Sequence, residues 1–218
     1  MNHSGDDVLQ KAVMDRLEDF QASIRTYRRT TRRPPTFLRD GVAPRMRDDA
    51  FAKARVFPDR ETMMLDVVAK GGIGAELGVQ AGNFSRFLLD GLAPSRLYLF
   101  DLAADPIRQD VKADPRVSLH IGDSSSNLAA RRETVFDWIY IDGDHSLTGA
   151  RKDAQAALQR IRPGGLLIFN DYTPWSIAEA MPYGVIPVVN ELVNEGLNFE
   201  AIALSPWGYF DVTLRAPG

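Results

Sequence analysis

Residues with carboxylate or amide side chains stand at the ends of several apolar segments in this 218-residue chain. Each segment is short and apolar, as a strand buried in a parallel sheet is. Parallel strands end at one edge of a sheet, which is where open α/β proteins bind ligands, so these side chains are expected to converge. The set consists of Glu76, Asp101, Asp123, Asp142, Asn170 and Asp171.

Any one of these residues could simply cap the helix that follows it. Several carboxylates at one edge are different, because like charges repel unless a cation or hydrogen-bond donors offset them. The pattern therefore predicts a ligand that carries positive charge and several hydrogen-bonding groups.

A glycine-rich loop follows the first of these segments. The apolar run from Gly72 ends at Leu77, and Gly78 and Gly82 separate it from an apolar stretch with helical spacing. Glycine permits positive φ and close approach of a ligand, and the N terminus of the following helix favours an anionic group. This stretch is predicted to be a strand, a turn and a helix that bind a small charged cofactor.

The glycine spacing distinguishes between two cofactors. Gly72-Ile-Gly74 would begin a nicotinamide fingerprint, but Leu77 stands where the third glycine belongs. The spacing Glu76-x-Gly78-x-x-x-Gly82 instead resembles motif I of the class I S-adenosylmethionine (SAM) methyltransferases, which implies SAM as the cofactor. A nicotinamide-dependent oxidoreductase stays as the alternative.

The resemblance also implies roles for the other polar residues, since SAM carries a sulfonium, an ammonium and ribose hydroxyls. Asp101 is expected to accept from the ribose hydroxyls, Glu76 to brace the loop and the ammonium, and Asp123 to accept from the exocyclic amine of adenine. The residues expected at the cofactor are Glu76, Gly78, Gly82, Ser85, Asp101, Gly122, Asp123, Ser124 and Asp142.

A second group of residues narrows the resemblance. Asp142-Gly-Asp-His145 follows one apolar segment, and Asn170-Asp171 follow the next. These stretches resemble the small-molecule O-methyltransferases of the macrocin and catechol type, and the similarity covers roughly residues 58–215. It implies a Mg²⁺ ion held by Asp142, Asn170 and Asp171, whose oxygen atoms are donors of the kind that this ion prefers.

His145 is the predicted proton acceptor of the reaction. Methyl transfer to a hydroxyl requires the oxygen to lose its proton, and a neutral imidazole can accept it near neutral pH. The sugar-directed members of the family carry a His at this offset from the metal-binding Asp. In the alternative, His145 only caps the next helix.

Departures from the family pattern leave alternatives open. Where this chain has Asn170-Asp171, relatives often carry two acids, or an acid followed by an amide. Two alternatives therefore stay open: the protein binds no metal, or Asp144 is one of the metal ligands. One relative, the cephalosporin hydroxylase family, is named for oxidation rather than methylation. The Asn/Asp-Pro-Pro-aromatic motif of enzymes that methylate exocyclic amines is missing. The predicted reaction is therefore O-methylation of a hydroxyl on a small molecule or a sugar-bearing natural product.

The elements that must position these residues alternate between strand and helix, which predicts an α/β fold with helices on both faces of a parallel sheet. The last two strand patterns, Phe199–Leu204 and Tyr209–Leu214, are expected to pair antiparallel. The predicted fold is a Rossmann-like doubly wound sheet of five parallel strands with a C-terminal antiparallel hairpin, the seven-stranded arrangement of class I methyltransferases.

Residues 1–57 are predicted to form an N-terminal extension of a methyltransferase domain at 58–218. Apolar residues at helical spacing in Leu9–Ile24 indicate an amphipathic helix, which could dock on the domain, contact a second copy or cap the active site. The five arginines of Arg25–Arg33 could grip phosphates, although such a run is more typical of a solvated connector. The extension and Tyr172–Tyr183 are expected to set acceptor specificity.

Composition excludes several other classes of protein. The absence of cysteine removes disulfides, thiolate zinc sites, iron–sulfur clusters and cysteine nucleophiles. A formal charge of -3 argues against a general nucleic-acid coat. No run approaches the roughly 20 apolar residues of a transmembrane helix, and the start lacks the apolar core of a secretory signal. We expect a cytoplasmic protein with a small-molecule substrate and no membrane partner, and a homo-oligomer is one hypothesis.

Overall fold

The computed structural model describes residues 3–132 and 134–218. The chain divides into two compact units, one reaching to Leu38 and the other formed by Arg39–Gly218. Residues 39–57 thus fall in the larger unit, whereas the predicted division lies after residue 57. The contacts explain the difference, because Asn190 Nδ2 donates to the Pro44 carbonyl at 2.8 Å, within the larger unit.

The first unit contains helix α1 (His3–Thr31) and a 3-10 turn (Thr36–Leu38). In the second unit, the helices are α2 (Arg60–Val67), α3 (Asn83–Gly91), α4 (Gln109–Lys112), α5 (Ser124–Ala129), α6 (Leu147–Leu158) and α7 (Val185–Asn194). The strands of the main sheet are β1 (Arg55–Phe57), β2 (Ile73–Leu77), β3 (Arg96–Asp101), β4 (Val117–Ile121), β5 (Phe136–Ile141), β6 (Ile161–Phe169), β9 (Asn198–Ala203) and β10 (Asp211–Arg215). A separate two-stranded ribbon consists of β7 (Trp175–Ser176) and β8 (Met181–Pro182).

The main sheet has the order β1-β9-β10-β6-β5-β2-β3-β4. Strands β4, β3, β2, β5 and β6 are parallel, and β10 is antiparallel to both β6 and β9. This arrangement confirms the predicted five parallel strands with a C-terminal antiparallel hairpin. The eighth strand, β1, pairs with β9 in parallel and was not predicted. It has only three residues at the sheet edge, and Val56 at its centre is exposed, so no alternation marks it.

Each face of the sheet is covered by helices, as a parallel sheet requires. One core contains Leu128 of α5, the alanines of α6 and the valines of α7, packed on Phe100 and Ile139. The other core contains the methionines of α2 and the leucines of α3, packed on strand residues that include Trp138. The strand ends are held between these two layers, so the residues that follow them have fixed positions.

Helix starts follow the expected capping chemistry. The Asp59 carboxylate accepts from Thr62 N at 2.6 Å and begins α2, and Ser146 Oγ accepts from Gly149 N at 3.1 Å and begins α6. Among the helices that the structure describes, none has the length and apolar character to cross a membrane.

Candidate active site

Three adjoining cavities lie along the carboxyl ends of the strands in the larger unit. The first, of about 330 Å³, is lined by residues that include Asp101, Asp123 and Lys152. It shares Gly78 and Asp142 with the second, of about 450 Å³. The second shares Asn170 and Asp171 with the third, of about 640 Å³. Most of the predicted site residues therefore line one continuous crevice.

The glycine loop after β2 owes its shape to close contacts with the neighbouring strand ends. Gly78 has φ +82°, and a Cβ there would lie 1.9 Å from the Asp142 carbonyl oxygen. Only glycine tolerates both the positive φ and the close approach of the Asp142 carbonyl. Gly82 has φ +75° and precedes the first residue of α3. In contrast, Gly74 lies inside β2, where a Cβ would meet the Trp138 ring, so its role is packing.

Glu76 is buried beneath this loop. Its Oε2 accepts from the Ser85 hydroxyl at 2.5 Å, and Ser85 is itself fully buried in the first turn of α3. Burial raises the pKa of Glu76 to about 8, and this hydrogen bond and the charge of Arg60 oppose the rise only in part. Glu76 also lines the second cavity, so it can present a carboxyl group to a ligand from below.

Asp101 ties the loop to β3. Its Oδ2 accepts from the backbone N–H groups of Val79 and Gln80 at 2.7 and 3.0 Å, and its Oδ1 accepts from Ala103 N at 3.0 Å. These bonds hold the loop open beside the first cavity, which Asp101 also lines. The predicted ribose contact stays a prediction, and the observed role of Asp101 is to position the loop.

The segment after β4 contributes a second wall to the first cavity. Gly122 has φ +125° and turns the chain, while Asp123 caps α5 by accepting from Ser126 N at 2.8 Å through Oδ1. These local hydrogen bonds lower the pKa of Asp123. Ser124 lies beside it in the cavity wall, with its hydroxyl 3.4 Å from the Phe100 carbonyl. Asp123 therefore caps helix α5, as any single Asp at the start of a helix could, and it also lines the first cavity.

The acids after β5 and β6, Asp142 and Asp171, both line the second cavity and lie on either side of His145, at a place called here the junction. Burial, together with the charges of Asp171, Asp211 and Glu76, raises the pKa of Asp142 well above its usual range. Burial also raises the pKa of Asp171, against the lowering effects of His145 and Arg60. Asp171 has φ +56°, an uncommon conformation for a residue with a side chain. The junction therefore carries excess negative charge, and its carboxyl groups are largely shielded from water.

Residues from distant parts of the chain surround this junction, and sequence reasoning missed them. The Asn170 Nδ2 donates to Asp211 Oδ1 at 3.2 Å, and the Tyr140 hydroxyl donates to Asp211 Oδ2 at 2.6 Å. Arg60 Nη1 donates to the Tyr140 oxygen at 3.2 Å, and its guanidinium lies 4.2 Å from the Phe84 ring centroid. Because its amide nitrogen is bound to Asp211, Asn170 has its carbonyl oxygen left for another partner.

His145 lies between the two acids. Its Nε2 is 3.6 Å from Asp142 Oδ1 and 3.9 Å from Asp171 Oδ2, beyond hydrogen-bond distance in both cases. This nitrogen is buried and has no hydrogen-bond partner among the described residues. Ser146, not His145, provides the cap of α6, so the capping alternative for His145 does not hold.

The segment from Tyr172 to Tyr183 shapes the wall next to His145. The Tyr183 ring stacks on the imidazole, with centroids 4.5 Å apart and an interplanar angle of 13°. Its hydroxyl donates to Glu179 at 2.9 Å, and the residue is buried. The Tyr183 ring thus packs on the histidine and is buried against it. From the same segment, Ile177 and Ala178 line the third cavity.

Asp153 is a further acid that sequence reasoning missed. It lies on α6, lines the first cavity and is 6% exposed. Burial and the charges of Asp123 and Asp144 raise its pKa to about 7. The alanine pattern of α6 gave no signal that this polar position faces the crevice rather than solvent.

The residues described contain no cluster of three or more His, Cys, Asp or Glu side chains arranged to hold a metal ion. Asp142 and Asp171 supply two carboxylates, and Asn170 adds an amide oxygen beside them. Asp144 is engaged elsewhere, because its Oδ1 accepts from Ser146 N at 2.9 Å.

Comparison with known proteins connects this geometry to a family. Residues 75–172 match a family described as a methyltransferase domain. The match runs from β2 to the residue after Asp171, so it includes the glycine loop and all of the predicted site residues. No protein among the curated sequences matches the chain.

Three solved structures with the same fold are distant from this chain in sequence. The N-methyltransferase NodS from Bradyrhizobium japonicum, in complex with S-adenosylhomocysteine, has 19% identity and a TM-score of 0.55, over 73% of this chain and 86% of that one. A proposed O-methyltransferase from Klebsiella pneumoniae has 22% identity and a TM-score of 0.55, over 67% and 73%. MycE of the mycinamycin biosynthetic pathway, in complex with Mg, S-adenosylhomocysteine and mycinamycin VI, has 18% identity and a TM-score of 0.52, over 72% and 48%.

The family match and the fold agree with each other. The matched segment contains the loop whose glycine spacing predicted SAM, and the sheet has the order expected of class I methyltransferases. Residues 75–172 of this chain are thus similar to a methyltransferase domain, and the chain has the class I methyltransferase fold.

Proposed function

We propose that this protein is a SAM-dependent methyltransferase that acts on a hydroxyl group of a small molecule or a sugar-bearing natural product, with His145 as the general base. One observation carries the proposal: the His145 Nε2 is buried, has no hydrogen-bond partner among the described residues and faces the crevice between two carboxylates. A buried polar atom without a partner is rare unless a ligand or solvent satisfies it. An acceptor hydroxyl would satisfy it.

In the proposed arrangement, the first cavity receives the adenosine of SAM and the second its methionine part. The glycine loop allows the cofactor to approach, and Asp101 keeps the loop in place. Glu76, beneath the loop, would accept from the ammonium group. The methyl group would then lie near the junction where Asp142, Asp171 and His145 meet.

The reaction is an in-line displacement at the methyl carbon. The acceptor oxygen forms a bond to that carbon while the carbon–sulfur bond breaks, and the sulfonium becomes the neutral thioether of S-adenosylhomocysteine. The hydroxyl proton passes to His145 Nε2, which must be neutral beforehand. Stacking on Tyr183 holds the imidazole in position for this transfer.

The residues at the junction fit a Mg²⁺ ion. Asp142, Asp171 and the free carbonyl oxygen of Asn170 are hard oxygen donors, and Mg²⁺ commonly combines one or two carboxylates with water and substrate oxygens. The raised pKa values of Asp142 and Asp171 also indicate uncompensated negative charge that a dication would offset. When bound, the ion would lower the pKa of the acceptor hydroxyl.

The third cavity is proposed to receive the acceptor. It adjoins Asn170 and Asp171, and its rim includes Trp207, 80% exposed, and Tyr209. Exposed aromatic rings beside polar groups suit a sugar or another ring-bearing molecule.

The proposal is tested with purified protein and its single-site variants. Calorimetric titration with S-adenosylhomocysteine, with Mg²⁺ and with chelator, should show binding in both conditions and no binding of NAD. His145→Ala and Asp142→Ala should each lower turnover of any acceptor found by about 100-fold or more, while affinity for S-adenosylhomocysteine changes only a few-fold. Asp105→Asn, an exposed change outside the crevice, is the control and should keep both turnover and binding.

Different results would reject different parts of the proposal. Loss of S-adenosylhomocysteine binding in His145→Ala would contradict the proposal that His145 takes part in proton transfer and not in cofactor binding. Methylation at nitrogen, shown by mass spectrometry of the product, would reject the hydroxyl acceptor. Full turnover in the presence of chelator would reject the proposed Mg²⁺ ion but would leave His145 as the proposed general base.

A further inference from the structure

Helix α1 carries an apolar stripe that its own unit leaves exposed. Leu9, Val13, Leu17 and Phe20 are 43–68% exposed, and Ile24 continues the stripe. With 3.6 residues per turn, these five side chains lie within a sector of about 80°. Because a helix in water gains most of its stability from packing such a stripe, α1 needs a partner surface.

The spacing of the stripe indicates what kind of surface that is. Val13, Leu17, Phe20 and Ile24 are separated by four, three and four residues, which is the a/d spacing of a coiled coil. Such a seam fits another helix with the same spacing. A second copy of α1 has that spacing by definition.

Charges beside the stripe determine the direction of pairing. Asp7 lies on one flank of the stripe near its N-terminal end, and Arg28 lies on the same flank near its C-terminal end. In an antiparallel pair, each flank meets the same flank of the partner with its ends reversed. Asp7 of one copy would therefore face Arg28 of the other, whereas in a parallel pair each flank meets the opposite flank and Asp7 stays far from Arg28 along the helix axis.

We propose that two copies of this chain associate through antiparallel pairing of their α1 helices, with Val13 of one copy packed beside Ile24 of the other. Arg28 then serves as one half of a self-complementary charge pair with Asp7 rather than as part of a phosphate site. An anionic membrane would be a poorer partner, because it would repel Asp7, Glu18 and the other acids of the N-terminal half.

Cysteine cross-linking tests the direction, since the chain has no cysteine of its own. Full-length Val13→Cys and Ile24→Cys variants are purified separately, mixed under reducing conditions and then oxidised. We expect disulfide-linked dimers in the mixture and few in either variant alone. Efficient cross-linking of each variant to itself would mean parallel pairing and would overturn the proposal.

A charge exchange tests the complementarity independently. Asp7→Arg and Arg28→Asp should each shift the wild-type dimer towards the monomer in sedimentation, and an equimolar mixture of the two variants should sediment as a dimer again. Asp15→Arg makes the same charge change as the first variant on the face opposite the stripe and should stay dimeric.

Two further outcomes would also overturn the proposal. One is a wild-type protein that sediments as a monomer at every concentration tested. The other is association of α1 with phosphatidylglycerol vesicles without any dimer in solution. Neither outcome concerns methyl transfer, so failure here and failure of the proposed reaction are separate results.

Discussion

At the scale of residues, the crevice is a place where negative charge is concentrated and only partly compensated. Burial raises the pKa values of Glu76, Asp142, Asp171 and Asp211, and Arg60 is the cation that lowers each of them. Such an arrangement favours positively charged ligands, because their binding lets the carboxyl groups ionise. It also makes proton exchange a measurable part of ligand binding.

Glu76 gives the first prediction. Its pKa of about 8 means that it holds a proton at neutral pH in the free protein, and contact with the cofactor ammonium should release that proton. Calorimetric titration of S-adenosylhomocysteine at pH 7 in buffers of different ionisation enthalpy should therefore report release of up to about one proton. Glu76→Gln should abolish the release, and Asp153→Asn, a change elsewhere in the crevice, should retain it. No proton release by the wild-type protein would contradict this role.

Asp211 gives a second prediction at this scale, which rests on the proposed metal site. Asp211→Leu removes the acceptor for Asn170 Nδ2 and frees the amide to turn. We expect Mg²⁺ affinity, measured by calorimetry with S-adenosylhomocysteine bound, to fall by about 10- to 100-fold. Thr213→Val, a buried change on the same strand, should leave it unaltered. If Asp211→Leu bound Mg²⁺ as tightly as the wild-type protein, the hydrogen bond between Asn170 and Asp211 would not be what orients the Asn170 amide.

At the scale of elements, strand ends were predictable and their distant partners were not. Apolar runs with an acid at the end identified β2, β3, β4, β5 and β6, because burial on both faces leaves a strong local pattern. The contacts of Arg60, Asp153 and Asp211 depend on tertiary packing: Arg60 comes from the first turn of α2 and Asp211 from the last strand. No local pattern reports that Arg60 and Asp211 meet Tyr140, or that Asp153 lines the first cavity.

The glycine loop supplies a prediction with a built-in control. Gly78 and Gly71 have nearly the same φ, +82° and +81°, but a Cβ at Gly78 would strike the Asp142 carbonyl whereas one at Gly71 would meet nothing within 4 Å. Gly71→Ala should lower the free energy of unfolding by about 1 kcal/mol and keep S-adenosylhomocysteine binding. Gly78→Ala should weaken that binding by at least about tenfold, measured by calorimetry. Equal binding by the two variants would contradict the close approach of strand end and loop.

At the scale of the whole molecule, buried acids make stability depend on pH. The pKa of Asp153 is about 7 and that of Asp211 about 6, against 3.8 for an ordinary Asp. A raised pKa in the folded state means that the folded chain binds more protons, so stability is greatest below the ordinary value and falls as pH rises towards the raised one. Between pH 5 and pH 8, the ligand-free protein should therefore lose stability.

Asp153 provides the test of this pH dependence. Asp153→Asn removes the cost of an ionised buried carboxylate, so it should raise the Tm by about 5 °C at pH 8 and by less at pH 5. Differential scanning calorimetry at the two values measures the effect. Asp105→Asn, a change at an exposed site, should leave the Tm nearly unchanged at both pH values. A larger gain at pH 5 than at pH 8 would refute the assignment.

The order of the strands has a consequence for synthesis of the chain. Strand β10 is made after every other strand of the main sheet, yet it lies inside that sheet between β6 and β9 and begins with Asp211. A nascent chain that still lacks β10 has two separated sheet edges, and neither Asn170 nor Tyr140 has its partner. Completion of the sheet and formation of the hydrogen bonds from Asn170 and Tyr140 to Asp211 therefore coincide, and these bonds can form only after residues 211–215 have been made.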